Sequence, residues 1–315
     1  MKKGVGITME YIKGTTSFHI EDQTVVSFGK FDGLHLGHEL LMEKMLAKKK
    51  TGLKSVIFTF DIPPRRRAFD VEAKVLTTNE EKMHLFERIG IDYLIECPFT
   101  EEIMCMDAAD FVKKIVTELN VKAMIVGTDF HFGHNRGGDY HTLQQYADEL
   151  GYEVSVVDKM QYENRDISST FVREEIAAGN MERANHLLGY HYFVQGKVEH
   201  GNHLGGPVLG CPTVNLLPAE DKLLPPNGVY VAEVVIGDQI CQGIANVGCK
   251  PTIEGKNPIG VETHIFDFDK DLYGTMIRVE FLSRVRAEQK FASIDELRAQ
   301  LQEDIAYGRN FFKQY

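Results

Sequence analysis

Residues 25–38 read Val25-Val26-Ser27-Phe28-Gly29-Lys30-Phe31-Asp32-Gly33-Leu34-His35-Leu36-Gly37-His38, and they decide the fold of the first half of the chain. The apolar run Val25 to Phe28 predicts a short buried strand. It breaks at Gly29, turns through Asp32-Gly33 and enters the apolar-periodic segment Glu39 to Lys50, a strand–turn–helix pattern. A helix start carries unpaired N–H groups and about half a positive charge, which suits phosphate. His35 and His38 share a face if that helix begins near Leu34. Two imidazoles beside such a helix start point to stabilisation of a pentavalent phosphorus transition state.

Spacing alone does not settle their role. The chain has 12 histidines, and the same spacing recurs at His131/His134 and His200/His203. Half a metal site, or two polar residues at a helix entry, fits it as well. The surroundings must decide.

Working outward, residues 1–185 alternate strand-like and helix-like segments. Ser55 to Phe60 is a continuous apolar run ending at Pro63-Pro64, which predicts a fully buried strand. Thr78 and Glu81 have capping-box spacing for a helix closed by Gly90. Asp92–Pro98, Val121–Val126 and Tyr152–Val157 read as strands, Ala108–Leu119 and Tyr140–Leu150 as helices. The alternation predicts an α/β, doubly wound parallel sheet with ligands beyond the carboxyl ends of its strands. Helices Ser169–Ala178 and Met181–Leu188 bridge to a different pattern.

From Tyr192 to Arg284 the signals are strands and turns: Tyr192–Glu199, Val229–Ile236, Ile240–Val247, Gly260–Phe266 and Met276–Leu282, with Gly237-Asp238 as a hairpin turn. These predict a small antiparallel β-barrel. A C-terminal helix follows, with Ser293 as cap, Glu296 at capping-box spacing and an apolar stripe of Leu297, Leu301 and Ile305. The expected domains are therefore 1–185 and 186–315.

A length of 315 residues agrees with two domains, and 43% hydrophobic and 26% charged residues are ordinary for a soluble globular protein. A formal net charge of −11 argues against a nucleic-acid-coating protein. The five cysteines, at 97, 105, 211, 241 and 249, have no Cys-x-x-Cys spacing, so reduced thiols in the cytoplasm are expected. No apolar leader or membrane-length run is present, so no membrane partner is expected. The oligomeric state is left open, a homo-oligomer included.

Gly29-x-Phe31-Asp32-Gly33-x-His35-x-Gly37-His38 resembles the His-x-Gly-His signature of the nucleotidyltransferase superfamily. It is most similar to the adenylyltransferase half of the prokaryotic bifunctional riboflavin kinase/FAD synthetases. Gly127-Thr128-Asp129-Phe130-His131-Phe132-Gly133 resembles the family's Gly-x-Asp-Phe-x-Phe-Gly segment beside the nucleotide, with His131 on a variable position. Ile167-Ser168-Ser169-Thr170-Phe171-Val172-Arg173 matches its Ile-Ser-Ser-Thr-x-x-Arg motif, whose hydroxyls, N–H groups and guanidinium would hold phosphate. The resemblance implies that His35 and His38 act catalytically on the α-phosphate of ATP. It implies that Gly29, Phe31, Asp32, Gly127, Asp129, Ser168, Ser169, Thr170 and Arg173 bind the nucleotide substrates.

In the second half, Gly210-Cys211-Pro212-Thr213-Val214-Asn215 reads by composition as a turn, yet resembles the Pro-Thr-Ala-Asn motif of riboflavin kinases. By that likeness Gly210 belongs to the binding loop, and Thr213 and Asn215 hold Mg²⁺ and ATP phosphates. Glu262 lies on an alternating strand. It matches the base that deprotonates the riboflavin 5′-hydroxyl, while the segments of Asn246 and Arg286 also match the kinase module. The implied function is riboflavin to FMN, then FMN to FAD, with ATP and Mg²⁺. Departures stand at Lys30, Ile62, Pro63, Gly206, Cys211 and Val214. Those at Gly206 and Cys211 motivate an alternative, an adenylyltransferase with a weak or inactive kinase module. A flavin-binding regulatory protein is a second.

Overall fold

The structure, a computed structural model, describes residues 9–61, 74–199, 213–249 and 259–315. The chain divides into two compact units, Met1–Ser168 and Ser169–Tyr315.

The first unit runs β1 (Glu10–Lys13), β2 (Thr24–Phe28), α1 (Leu36–Lys49), β3 (Lys54–Asp61), α2 (Asn79–Ile89) and β4 (Tyr93–Pro98). Then come α3 (Glu101–Cys105), α4 (Ala108–Glu118), β5 (Val121–Gly127), β6 (His131–Phe132), β7 (Gly138–Asp139) and α5 (Tyr140–Leu150). It ends with β8 (Glu153–Val157), β9 (Gln161–Tyr162) and β10 (Arg165–Asp166). Six strands form one parallel sheet in the order β1-β4-β3-β2-β5-β8.

Every residue of β2 is buried, as a central parallel strand covered on both faces requires. Val26, Phe28, Val56 and Phe58 join Phe111, Val112 and Ile115 of α4 and Leu143 of α5 in one core. Strand alternation turns the intervening residues to the other face. The chain leaves β2 for β3 on one side and leaves β5 for β8 on the other. Those opposed departures create the crevice where such sheets bind ligands, beyond the carboxyl ends of β2 and β5.

The expected capping box is made. The Glu81 N–H donates to Thr78 Oγ1 at 3.2 Å and the Thr78 N–H to Glu81 Oε2 at 2.9 Å, while Gly90 ends α2 in the left-handed region. Sequence pattern misses β1, α3 and the β9–β10 hairpin. The hairpin turn holds Glu163 and Asn164 at φ 51° and 62°, a type I′ geometry without the glycine that usually announces it.

The second unit begins with α6 (Ser169–Ala178) and α7 (Met181–Leu188), the bounds that sequence predicts. Asn185 ties α7 to the sheet that follows: its Nδ2 donates to the Phe281 carbonyl at 2.8 Å, and its Oδ1 accepts from the Tyr192 N–H at 2.7 Å. Both helices, which the sequence pattern reads as a bridge between the two halves, fall inside the second compact unit. The strands are β11 (Phe193–Lys197), β12 (Thr213–Leu216), β13 (Gly228–Ile236), β14 (Gln239–Cys249), β15 (Ile259–Ile265) and β16 (Met276–Ala287).

They form an antiparallel, curled sheet in the order β11-β16-β13-β14-β15-β12. Its two edges meet where Glu199, just past β11, bridges to Asn215 of β12. Gly237-Asp238 makes the expected hairpin, with Ile236 opposite Gln239. Residues 213–216, expected as a turn, are the strand β12, because pairing with β15 supplies the ladder that composition hides.

Helix α8 (Ile294–Gln314) starts at Ser293, whose side chain accepts from the Glu296 N–H. Glu296 reaches the Ala292 N–H at 2.9 Å instead of the N-cap's own, so this capping box is half made. The expected stripe of Leu297, Leu301 and Ile305 is half-buried, and the fully buried residues on the same face are Asp304 and Gly308. A β-carbon at Gly308 would lie 2.8 Å from Ile244 Cγ2, so the helix docks by close approach more than by leucines.

Candidate functional site

The carboxyl end of β2 delivers the first candidate site. Gly29 donates its N–H to the Phe58 carbonyl at 3.1 Å, continuing the β2–β3 ladder one residue before the turn. Asp32 then fastens the turn, its Oδ1 accepting from the N–H groups of Leu76 (2.8 Å) and Thr77 (3.1 Å). Gly33 has φ 75°, and a β-carbon there would lie 2.6 Å from Leu76 Cδ1, so the turn demands glycine on two counts. Phe31 is buried against His38 and Phe86. Phe31 and Asp32, which the resemblance assigns to the nucleotide, also frame the loop.

The helix starts at Leu36, with His35 as its N-cap, two residues after the expected start. The His35 carbonyl accepts from the N–H groups of His38 (2.7 Å) and Glu39 (3.2 Å). The rings of His35 and His38 stack with centroids 3.8 Å apart and planes 25° from parallel. Each Nδ1 is buried with no hydrogen-bond partner among the described residues. A β-carbon at Gly37 would lie 3.1 Å from His35 Nδ1 and 3.6 Å from the Ile167 carbonyl, so the absent side chain leaves room for both.

Both rings are neutral at pH 7. Burial pulls His35 down to about 4, against the carboxylates of Asp129 and Asp32, which favour its cation. Burial, then the charges of His35 and Lys82, holds His38 well below the ordinary imidazole range. A neutral imidazole carries one N–H. With Nδ1 enclosed, Nε2 is the nitrogen each ring can offer to a phosphate oxygen, beside the positive end of α1.

Across the crevice, Gly127 ends β5 and its carbonyl accepts from the Phe130 N–H at 3.1 Å. Asp129 is exposed, and its Oδ2 lies 3.3 Å from Nζ of Lys159, which also stands 3.4 Å from Asp166. His131 is exposed, with its Nδ1 2.8 Å from the Asp129 carbonyl. Ser168 closes the first unit, while Ser169, Thr170 and Arg173 fall in the first turns of α6 in the second.

In the second unit, register sets Glu262 of β15 opposite Asn215 of β12 on one side and Asn246 of β14 on the other. Residues paired across strands share a face of the sheet, so these three form a polar row. Thr213 Oγ1 donates to Glu262 Oε1 at 2.6 Å, joining that row from two residues along β12. Asn215 is buried, and Glu262 and Thr213 are half-buried. Arg286, expected near the flavin, places Nε 2.9 Å and Nη2 2.8 Å from the carboxylate of Asp304. Gly210, with Gly206 and Cys211, lies outside the described residues, as do Ile62 and Pro63.

Sequence reading misses Lys159 and Asp304. Lys159 sits just beyond the carboxyl end of β8, the side of a parallel sheet where ligands bind, and that position was its available signal. Asp304 lay hidden in an amphipathic pattern whose stripe runs through Leu301 and Ile305.

Comparison with known proteins places both halves of the chain in one family. The family model described as FAD synthetase matches residues 17–171, and that described as riboflavin kinase matches residues 188–312. The bifunctional riboflavin kinase/FMN adenylyltransferase of Escherichia coli strain K12 is 35% identical over 296 residues, 93% of this chain and 94% of its own. The protein of that name from Bacillus subtilis strain 168 is 33% identical, over 92% of this chain and 93% of its own. A crystal structure described as a macrolide-efflux protein from Streptococcus pneumoniae superposes with a TM-score of 0.84 at 31% identity, covering 96% of this chain and 99% of its own. No helix among the described residues is long and apolar enough to cross a membrane. Identity at this level across both units, with each family model falling on its own sheet, makes the chain a member of the bifunctional riboflavin kinase/FMN adenylyltransferase family.

Proposed function

We propose that this chain makes FMN from riboflavin and ATP on its antiparallel sheet, and FAD from FMN and ATP at the β2–α1 crevice. The observation that carries the second assignment is the stacked, neutral pair His35 and His38 at the start of α1. In adenylyl transfer, a 5′-phosphate oxygen of FMN bonds to the α-phosphorus of ATP while the bond from that phosphorus to the bridging oxygen breaks and pyrophosphate leaves. The attacking phosphate is already ionised near pH 7, so no general base is needed. Catalysis is then positioning and stabilisation of charge growing on the α-phosphate oxygens. His35 and His38 donate to those oxygens. Gly29, Gly127 and Asp129 line the crevice, framed by Phe31 and Asp32, and Ser168, Ser169, Thr170 and Arg173 hold the remaining phosphates.

An alcohol, unlike a phosphate, needs help to lose its proton. Glu262 takes the proton of the riboflavin 5′-hydroxyl as that oxygen attacks the γ-phosphorus of ATP and ADP departs. Thr213 and Asn215 present hard oxygen donors beside Glu262, a set that suits Mg²⁺. When bound, Mg²⁺ neutralises phosphate charge. Asn246 and Gly210 bind the substrates on the phosphate side and Arg286 on the flavin side, roles that the resemblance supports. The functional division falls at 185/186, a placing supported by family models that stop at 171 and resume at 188. Work in the cytoplasm is supported by the free thiols Cys97, Cys105, Cys241 and Cys249.

Riboflavin, ATP and Mg²⁺ incubated with the purified chain should give FMN and then FAD. FAD formed only from added FMN would exclude the kinase, and no turnover would exclude both reactions. His38→Ala should lower FAD formation from FMN by on the order of 10²–10³, the usual cost of one transition-state donor. Glu262→Gln should abolish FMN formation while supplied FMN still becomes FAD. Loss of both reactions in that folded variant would refute the two-site division.

A further inference from the structure

Apart from the polar row around Glu262, the second unit holds a cluster that flavin chemistry does not use. Register places Glu233 of β13 directly opposite Glu280 of β16. Like charges so placed oppose folding unless something neutralises them. His191, two residues before β11, does face both: its Nδ1 lies 3.3 Å from Glu280 Oε2 and 3.7 Å from Glu233 Oε2. One ligand atom from each of the three side chains lies within 4.8 Å of the other two.

Those separations have a chemical meaning. A tetrahedral ion with bonds of about 2.0–2.2 Å to nitrogen and oxygen holds its ligand atoms about 3.3–3.6 Å apart. The two measured distances from Nδ1 lie close to that spacing. The outer atoms are also held as metal ligands usually are. His191 Nε2 lies 3.0 Å from the hydroxyl of Tyr315, which fixes the ring with Nδ1 turned to the two carboxylates. Glu280 Oε1 lies 2.7 Å from Arg278 Nε, which leaves Oε2 facing the cluster. Once a cation replaces the proton on His191 Nδ1, two carboxylates against one guanidinium leave a net negative charge to hold it. An imidazole nitrogen beside carboxylates favours zinc-class ions over magnesium.

We propose that His191 Nδ1, Glu233 and Glu280 form a binding site for a zinc-class divalent cation, with solvent completing the coordination. The ion clamps the entry of β11 to β13 and β16 and, through Tyr315, braces the end of α8. It is separate from the Mg²⁺ that ATP chemistry requires.

The test uses the full chain after chelator treatment, titrated with Zn²⁺ by calorimetry and with Co²⁺ by visible absorption. One site per chain is expected, with the strong visible bands of low-symmetry Co²⁺. Glu233→Gln, nearly isosteric and relieved of like-charge repulsion, should fold and bind at least about tenfold more weakly. Tyr315→Phe should weaken binding by about tenfold, the usual cost of a lost outer-shell partner. Glu262→Gln and His38→Ala should keep the Co²⁺ spectrum. Absence of Co²⁺ bands in the parent chain, their persistence unchanged in Glu233→Gln, or their loss in Glu262→Gln or His38→Ala would overturn the assignment.

Discussion

Gly37 and His35 compete for one space at the start of α1: a β-carbon on residue 37 would meet the imidazole Nδ1 at 3.1 Å. The ring is pinned between that helix turn and the stacked face of His38. Gly37→Ala should therefore displace His35 and lower FAD formation from FMN by about 10–100-fold, since small misplacements are costly in positional catalysis. FMN formation from riboflavin should be unchanged in the same variant. Assaying the two reactions separately on one preparation checks both halves.

Acid should expose the cost of burying a neutral imidazole. Between pH 6.5 and about 4 the unfolded chain binds a proton at His35 that the folded chain refuses. Stability from this group is therefore present above that window and falls as pH drops through it. Replacing His35 by Gln should flatten the slope by on the order of 3 kcal/mol across the window. Urea unfolding of both proteins at several pH values measures the difference.

Asp304 is 1% exposed and is held by the two-point contact with Arg286. Asp304→Ala leaves the guanidinium facing a buried void without its counter-charge, and should cost about 3–5 kcal/mol. Replacing both residues by apolar ones of similar volume should recover most of the loss. Denaturant midpoints of the single and double variants decide it.

Thr213 Oγ1 orients Glu262 through a 2.6 Å hydrogen bond. Thr213→Val keeps the shape of the side chain and removes the donor. FMN formation should fall by at least about tenfold, within the range of general-base contributions. FAD formation from supplied FMN should hold steady, as read by chromatography of the flavin products.

Sequence was most legible where local chemistry and tertiary structure agree. The β2–α1 entry could be read because its glycines, Asp32 and the apolar run all demand the same turn. The caps at Thr78 and Ser293 were legible for the same reason. β12 was not, because four residues after a glycine-rich run become a strand only when β15 pairs with them. The frame role of Asp32 was hidden too. It depends on Leu76 and Thr77, which no motif connects to the loop. The cluster of His191, Glu233 and Glu280 left no local trace, since its members stand on three segments brought together by register alone.

The pairing pattern also sets an order of assembly. The β13–β14 hairpin closes through a two-residue turn, so it can form early and locally. β1, by contrast, joins its sheet only by lying against β4, with Glu10 beside Tyr93. Until β4 exists, β1 has nowhere to dock, and until β1 returns, β4 presents an unpaired apolar edge. A growing chain can seal that edge as soon as β4 emerges, whereas β2 keeps one side unpaired until β5 is made and β5 until β8, so slow synthesis should expose the β2 and β5 sides the longest.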